Sequence, residues 1–382
     1  MEKVVPVVEQ RRPPHLLRRP QLPLPNFDGI EFSSPWLISG FSTRKNNGIC
    51  RFFNPINNHT LETNMNPQFS YNSRICFAKY GWLLMIQDNK NELLLFLFEP
   101  LTKEKILLPP LLDVDEMKLL ITSSPQSPDC MVIGLTALNS SSNTTIEICT
   151  CKLGDLDWQF YERIVLDGLK LRMACCTPTF YKGKLYCLEK MGNLLTFDPT
   201  SVDGSFKCIQ NEDLVECTDD EDEDGVESCT EDEDCVGNED IGTMSDLVTL
   251  TFDISPLLGE MKGYQIFMVE NDGDLLAIFV TKRGRTVYVY KWDESHRSFG
   301  SVKSLGDNMV FVSYGGAAFS QKAVVRGTGN KIYFPTFFLN GAYAFYSLAT
   351  KRYHSFFGFS PANPCCPPSQ HVESVWLCPI QQ

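Results

Sequence analysis

The chain has 382 residues, a formal net charge of −13, 43% hydrophobic residues and 12% aromatic residues. That is ample apolar material for a large core, and it excludes a chain that stays disordered for want of one. No run of about 18 apolar residues and no N-terminal apolar signal region occur, so neither a membrane span nor secretion is expected.

The acidity is local. Between Asn211 and Asp240 stand 16 Asp and Glu and no Lys or Arg, and the rest of the chain carries about +3. Lys and Arg are scattered along that remainder, so no nucleic-acid groove is expected. The 15 cysteines are odd in number. Cys50, Cys76, Cys130, Cys149, Cys187 and Cys208 lie in or beside apolar runs, where a free thiol behaves as a small hydrophobe. A reducing setting, cytoplasmic or nuclear, is expected rather than a disulfide framework.

Residues 1–34 form a Pro- and Arg-rich arm, with Arg11-Arg12-Pro13-Pro14 and Arg18-Arg19-Pro20. Prolines at this density favour an extended chain over a helix. From Trp36 short apolar runs alternate with turn signals: Trp36–Gly40, Ile49–Phe53 and Thr60–Asn64, then Arg74–Phe77, Gly81–Gln87, Glu92–Phe98 and Glu104–Leu108. A third group covers Lys118–Thr122, Cys130–Leu138, Thr144–Lys152 and Trp158–Ile164. The fourth runs Ala174–Phe180, Lys184–Leu188, Asn193–Phe197 and Phe206–Ile209. Its hairpin, within Tyr181–Pro199, reads as two strands with one buried face.

An acidic insertion at 211–243, expected to be disordered, interrupts the pattern. It resumes with Tyr264–Val269, Leu275–Thr281, Thr286–Trp292 and Phe299–Ser304, then Val310–Phe319, Lys331–Thr336, Ala342–Ser347 and Tyr353–Phe356. Val372–Cys378 is left over. The turn before the second strand of a group falls at Gly81, Asp129, Gly183, Gly273 and Asn330, spaced 48, 54, 90 and 57 residues apart. Removing the insertion brings the 90 into line, at the size of a four-stranded propeller blade. The expectation is an all-β propeller over residues 35–380, with six four-stranded blades. The C-terminal strand completes the three-stranded first group and closes the ring.

The motifs that carry chemistry are few. Asp220, Asp222, Asp224, Gly225 and Glu231 match the spacing of an EF-hand loop, yet their flanks lack the amphipathic helices that clamp such a loop. Thr218, Ser228 and Thr230 precede acidic residues and suit a kinase that reads downstream carboxylates. Cys217, Cys229 and Cys235 are spaced unlike any standard zinc site and have no accompanying His. Cys149 and Cys151 share one face of a strand, Cys175-Cys176 and Cys365-Cys366 point apart, and all read as packing residues. The five histidines are dispersed, and Gly327-Thr-Gly329 reads as a turn. No catalytic, cofactor-binding or metal-binding residue is therefore expected, and no cofactor.

Several stretches, taken in order, resemble one family. They are Gly81-Trp82-Leu83, Leu97-Phe98-Glu99-Pro100 and Ile106-Leu107-Leu108-Pro109, followed by Tyr181–Tyr186 with Gly192-Asn193-Leu194 and Phe197-Asp198. Gly273-Asp274-Leu275-Leu276, Val287–Lys291, Ser304–Asp307, Asn330–Phe334 and Ala344–Tyr346 continue the series. The chain is similar there to the plant F-box-associated, KIB-type β-propeller family, over about residues 36–379. The resemblance implies a non-enzymatic propeller that binds a protein, like the substrate-recruiting part of plant F-box proteins. Residues 1–34 show no helical apolar periodicity, so an F-box-less member is expected, without direct docking to Skp1 and a cullin ligase. The alternative is an enzyme or small-ligand binder that uses the central channel.

Overall fold

A computed structural model of the chain describes residues 34–39, 49–64, 73–88, 93–111, 117–168, 171, 176–189, 192–201, 205–211, 248–250, 265–280, 286–313, 318–335, 344–355 and 374–378. The Pro- and Arg-rich arm and most of the acidic insertion lie outside the described residues. Among those described there is no helix, and the strands form six sheets.

The first sheet takes β1 (Trp36–Ser39), β2 (Ile49–Asn54) and β3 (His59–Asn64) in sequence. The second is β4 (Ser73–Lys79), β5 (Trp82–Asp88), β6 (Leu93–Phe98) and β7 (Lys105–Leu107). The third holds β8 (Lys118–Ile121), β9 (Met131–Asn139) and β10 (Asn143–Lys152), with β11 (Gln159–Phe160) and β12 (Ile164–Asp167) both paired to β10. β13 (Cys176–Thr177) joins a later sheet. β14 (Thr179–Tyr181), β15 (Lys184–Leu188), β16 (Leu194–Asp198), β17 (Ser205–Asn211) and β18 (Val248–Leu250) make the fourth. The fifth is β19 (Gln265–Asn271), β20 (Asp274–Val280), β21 (Val287–Asp293) and β22 (Ser298–Ser301), with β13 parallel to β19. The sixth contains β23 (Asn308–Phe311), β24 (Phe319–Lys322), β25 (Lys331–Phe334), β26 (Ala344–Ser347) and β27 (Arg352–Ser355). Finally β28 (Ser374–Leu377) pairs antiparallel with β1, with Trp36 opposite Leu377 and Leu37 opposite Trp376. The six-bladed propeller is thus closed by its own C-terminal strand, and the first blade draws on both ends of the described chain.

The regular turn spacing has a stereochemical cause. Tyr80-Gly81, Lys182-Gly183 and Asp272-Gly273 are two-residue loops between Lys79 and Trp82, Tyr181 and Lys184, and Asn271 and Asp274. Both residues of each loop have positive φ, for example 52° at Asp272 and 79° at Gly273. This is the type I′ turn, whose twist matches that of the strands it joins, and glycine takes its second position without strain.

Four expectations about strands are corrected. The hairpin of β15 and β16 is buried on both faces, since Leu185, Tyr186, Cys187 and Leu188 are all inaccessible. A blade sits between two neighbours, so its inner strands read as near-continuous apolar runs rather than alternating ones. Ala174–Phe180 is not one strand: Pro178 lacks an N–H and separates β13, which serves the fifth sheet, from β14. Val310–Phe319 is not one strand either: β23 and β24 pair antiparallel with each other, and β23 runs parallel to β25. Trp158–Ile164 is divided into β11 and β12.

The core lies between blades. One apolar cluster runs through blades two to five, a second joins blades five and six, and a third joins six to one through Leu37, Phe53, Met309, Phe311, Phe319, Tyr333 and Trp376. Each large side chain buried in this way contributes roughly 1.5–3 kcal/mol.

Candidate functional site at the turn end of the channel

The inner edges of the sheets are β28, β4, β8, β14, β13 and β24, and contacts join β28 to β4, β4 to β8, β8 to β14, β14 to β19 and β19 to β24. The C-terminal ends of these strands gather at one mouth of the channel, with the type I′ turns that follow β4, β14 and β19. This is where convergent polar groups for a ligand or a reaction are to be sought.

Most polar groups there are engaged between blades. The Tyr80 hydroxyl donates to the Thr122 carbonyl of the third blade at 3.1 Å. The Tyr181 hydroxyl donates to the Gly273 carbonyl of the fifth at 2.5 Å. The Asp272 carboxylate accepts from Asn308 Nδ2 at 2.7 Å and from Lys322 Nζ at 2.5 Å, both from the sixth blade. Those two donors hold its carboxyl below the usual carboxylate range. Ser320 donates to Asn271 Oδ1 at 2.6 Å, and the Trp376 amide donates to Ser313 Oγ at 3.0 Å. These contacts latch neighbouring blades, and chain segments far apart in sequence supply them.

Lys79 is different. Nine-tenths of it is buried, and no carboxylate of the described residues lies within ion-pair distance. Its ammonium stands 5.0 Å from the centre of the Tyr80 ring, a cation–π placement. Burial lowers its amine below the ordinary lysine value, and the charges of Glu270 and Cys378 oppose that shift. Burial in turn pushes the Cys378 thiol up to about 11 and the Tyr80 phenol up to about 12. Neither is an activated nucleophile, because each is held in its protonated form. A charge kept at such cost predicts that Lys79→Met raises the stability at pH 7 by about 1–2 kcal/mol. A lower thermal midpoint for the variant would show that contacts outweigh desolvation at this site.

One triad-like cluster occurs elsewhere. His296 Nδ1 lies 2.8 Å from Asp293 Oδ2 and 3.1 Å from Ser295 Oγ. A nucleophile–base–carboxylate relay needs serine and carboxylate on opposite ring nitrogens, whereas here one nitrogen faces both. Ser295 Oγ moreover donates to Asp293 Oδ1 at 2.6 Å, and the His296 side chain is 78% exposed. The group is the turn between β21 and β22, tied by its aspartate.

The sequence-derived candidates fall as follows. Thr218, Ser228 and Thr230, the EF-hand match and Cys217, Cys229 and Cys235 lie outside the described residues. The segment that holds them leaves β17 after Asn211 and returns at β18, which pairs parallel with β17, Asn211 opposite Leu250. Both ends are therefore on the outer edge of the fourth blade, away from the axis. Cys149 and Cys151 are fully buried, and Cys149 Sγ sits 3.9 Å from Met117 Sδ. Among the described residues no three His, Cys, Asp or Glu side chains converge as a metal site requires. The reading of single residues missed the Lys79 mouth. Its signal was a lysine closing an apolar run just before a Tyr-Gly turn.

The chain is similar to an F-box protein of Arabidopsis thaliana (At4g00893), 22% identical over 354 residues, which span 90% of this chain and 74% of the relative. It is also similar to an F-box/kelch-repeat protein of the same plant (At3g18720), 29% identical over 171 residues, 44% of this chain and 43% of the relative. Among solved structures, TolB from Acinetobacter baumannii aligns over 90% of this chain and 67% of its own, at 10% identity and a TM-score of 0.44. The model of the KIB1-4 β-propeller matches residues 52–354, most of the ring, and the chain belongs to that family.

Proposed function

We propose that this chain is a non-enzymatic protein-interaction propeller, which binds its partner as the propellers of plant F-box proteins bind substrates. The observation that carries the reading is the channel mouth. The Tyr80 and Tyr181 hydroxyls and the Asp272 carboxylate hold blades together and the Cys378 thiol is protonated, so the mouth serves as a rigid platform. Likeness to F-box proteins supports a role in recruiting or sequestering another protein. The proposal places partner binding in the propeller itself, the part that the family match covers.

The test is affinity purification of the tagged chain from plant cells, with Skp1 and cullin abundance scored beside every other protein. A dominant partner without stoichiometric Skp1 is expected. Near-stoichiometric Skp1 would replace this reading with that of a complete ligase adaptor. Recovery of no protein, together with turnover of a small molecule, would replace it with the channel-enzyme alternative.

A further inference from the structure

The outer edge of the third blade carries a surface for which the fold has no use. β11 and β12 both pair with β10, but Phe160 stands opposite Cys149 while Ile164 stands opposite Ile146. The register thus advances by one residue between them, which is a β-bulge. It decides which way the side chains face. Paired residues share a face of the sheet, as does every second residue of one strand. Phe160 lies opposite Cys149, Val165 opposite Thr145, and Leu138 opposite Thr145 from the other side. Phe160 and Val165 are five residues apart and would point to opposite faces of a regular strand. The bulge turns them to the same one, beside Leu138.

These three side chains are 64%, 54% and 40% exposed, and Leu156, in the preceding turn, is 88% exposed. Asp155, Asp157, Glu162 and Asp167, all exposed, flank Leu156, Phe160 and Val165 along the chain. The one cation of this stretch, Arg163, has its Nε 2.6 Å from Glu147 Oε1. An ion pair this open to solvent contributes little to stability. Apolar side chains left in water contribute nothing to the core. Trp158 of the same stretch, by contrast, is buried and donates to the Pro109 carbonyl of the second blade at 3.0 Å, so the stretch is firmly held. Glu147 lies between Thr145 and Cys149 on the same face, so its pair with Arg163 divides the exposed apolar side chains, and the surplus of carboxylates around them selects a partner by charge.

We propose that this face of the third blade docks a partner segment in which Lys or Arg alternates with aliphatic or aromatic residues. The proposal rests on the interaction reading above and names the surface and the chemistry it recognises.

The experiment uses the full chain and a fluorescein-labelled ten-residue peptide of alternating Lys and Leu, with binding read by anisotropy and the contact mapped by hydrogen exchange. Two variants are compared with the wild type, Phe160→Ser/Val165→Thr and Asp155→Asn/Asp157→Asn/Glu162→Gln. All these positions are exposed, so an unchanged thermal midpoint is expected of both. The expected result is saturable binding that weakens with salt and slows exchange within 155–168, with affinity reduced about tenfold or more in each variant. Equal affinity in all three proteins would overturn the proposal, and so would protection confined to the acidic run of 211–240. A wild-type dimer that the Phe160→Ser/Val165→Thr variant dissolves would instead assign the surface to a second copy of the chain, and would also overturn it. In the purification above, a variant that keeps the wild-type partner would sink this surface and leave the interaction reading standing. A wild type that captures no protein would sink the interaction reading itself.

Discussion

Trp376→Ala is expected to destabilise the protein by about 3–5 kcal/mol, the range for losing a buried tryptophan. Trp376 is fully buried on β28, opposite Leu37 of β1. Its ring meets Phe311 edge-on at 5.0 Å and Tyr333 at 6.4 Å, and Phe311 in turn stacks on Tyr333 at 4.7 Å. The substitution therefore empties the centre of the cluster that joins the sixth blade to the first. Globular domains are stable by only about 5–15 kcal/mol, so this one cavity removes a large fraction of the whole. Urea denaturation measures the loss, and hydrogen exchange at Trp36–Ser39 locates it. A loss under about 1 kcal/mol, with β1 still protected, would contradict closure by β28 as the keystone of the ring. Deleting Val372–Gln382 is the harsher form of the same test. It leaves β1 with an unpaired edge, and aggregation is the expected outcome.

The second large effect is alkaline unfolding. Burial pushes the thiols of Cys50, Cys149 and Cys208 from 9.0 up to about 12. It also raises the Tyr80 phenol from 10.0 to about 12 and moves Tyr333 upward. These groups hold their protons more tightly in the folded chain than in the unfolded one. Their stabilisation is present in full below pH 9 and is lost as pH rises from 9 toward 12, because the unfolded state releases protons that the folded state keeps. Each thiol gives up about 1.4 kcal/mol per pH unit in that window. Three together approach the total stability of a domain within about two units. Lys79 acts in the opposite sense, since its lowered amine sheds its buried charge as pH rises, but it is one group against several. Urea midpoints measured from pH 8 to pH 11 are expected to fall steeply above 9, and more gently in Cys149→Ala. A flat profile to pH 11 would show that these thiols are not held protonated by the fold.

The strands and turns of this protein are local chemistry, and they were legible as such. Runs such as Trp82–Ile86 and Asp274–Val280 are strands because β-forming side chains are bounded by residues that accept positive φ. The regular spacing of the turns at Gly81, Asp129, Gly183, Gly273 and Asn330, with the groups of apolar runs between them, then counted the blades, and a strand left over at the C-terminus implied closure. The Lys79 mouth and the third-blade surface were not legible, because each depends on residues brought together from distant parts of the chain. Glu270 and Cys378 act on Lys79 from other blades. Phe160 and Val165 share a face only because β10 fixes the registers of β11 and β12 one residue apart.

By itself, then, the order of apolar runs and turn residues determined that the chain is extended, where it reverses, and how often the unit recurs, since backbone preference and hairpin twist act within a few residues. Tertiary structure alone decided that Pro178 divides two blades, that β23 and β24 fold back on each other, and that both faces of an inner hairpin such as β15 and β16 are dry. It also decided that Tyr181 is tied to Gly273. Which strand a segment pairs with, and which of its side chains remain in water, depends on the surfaces that neighbouring blades present, and those come from residues tens to hundreds of positions away.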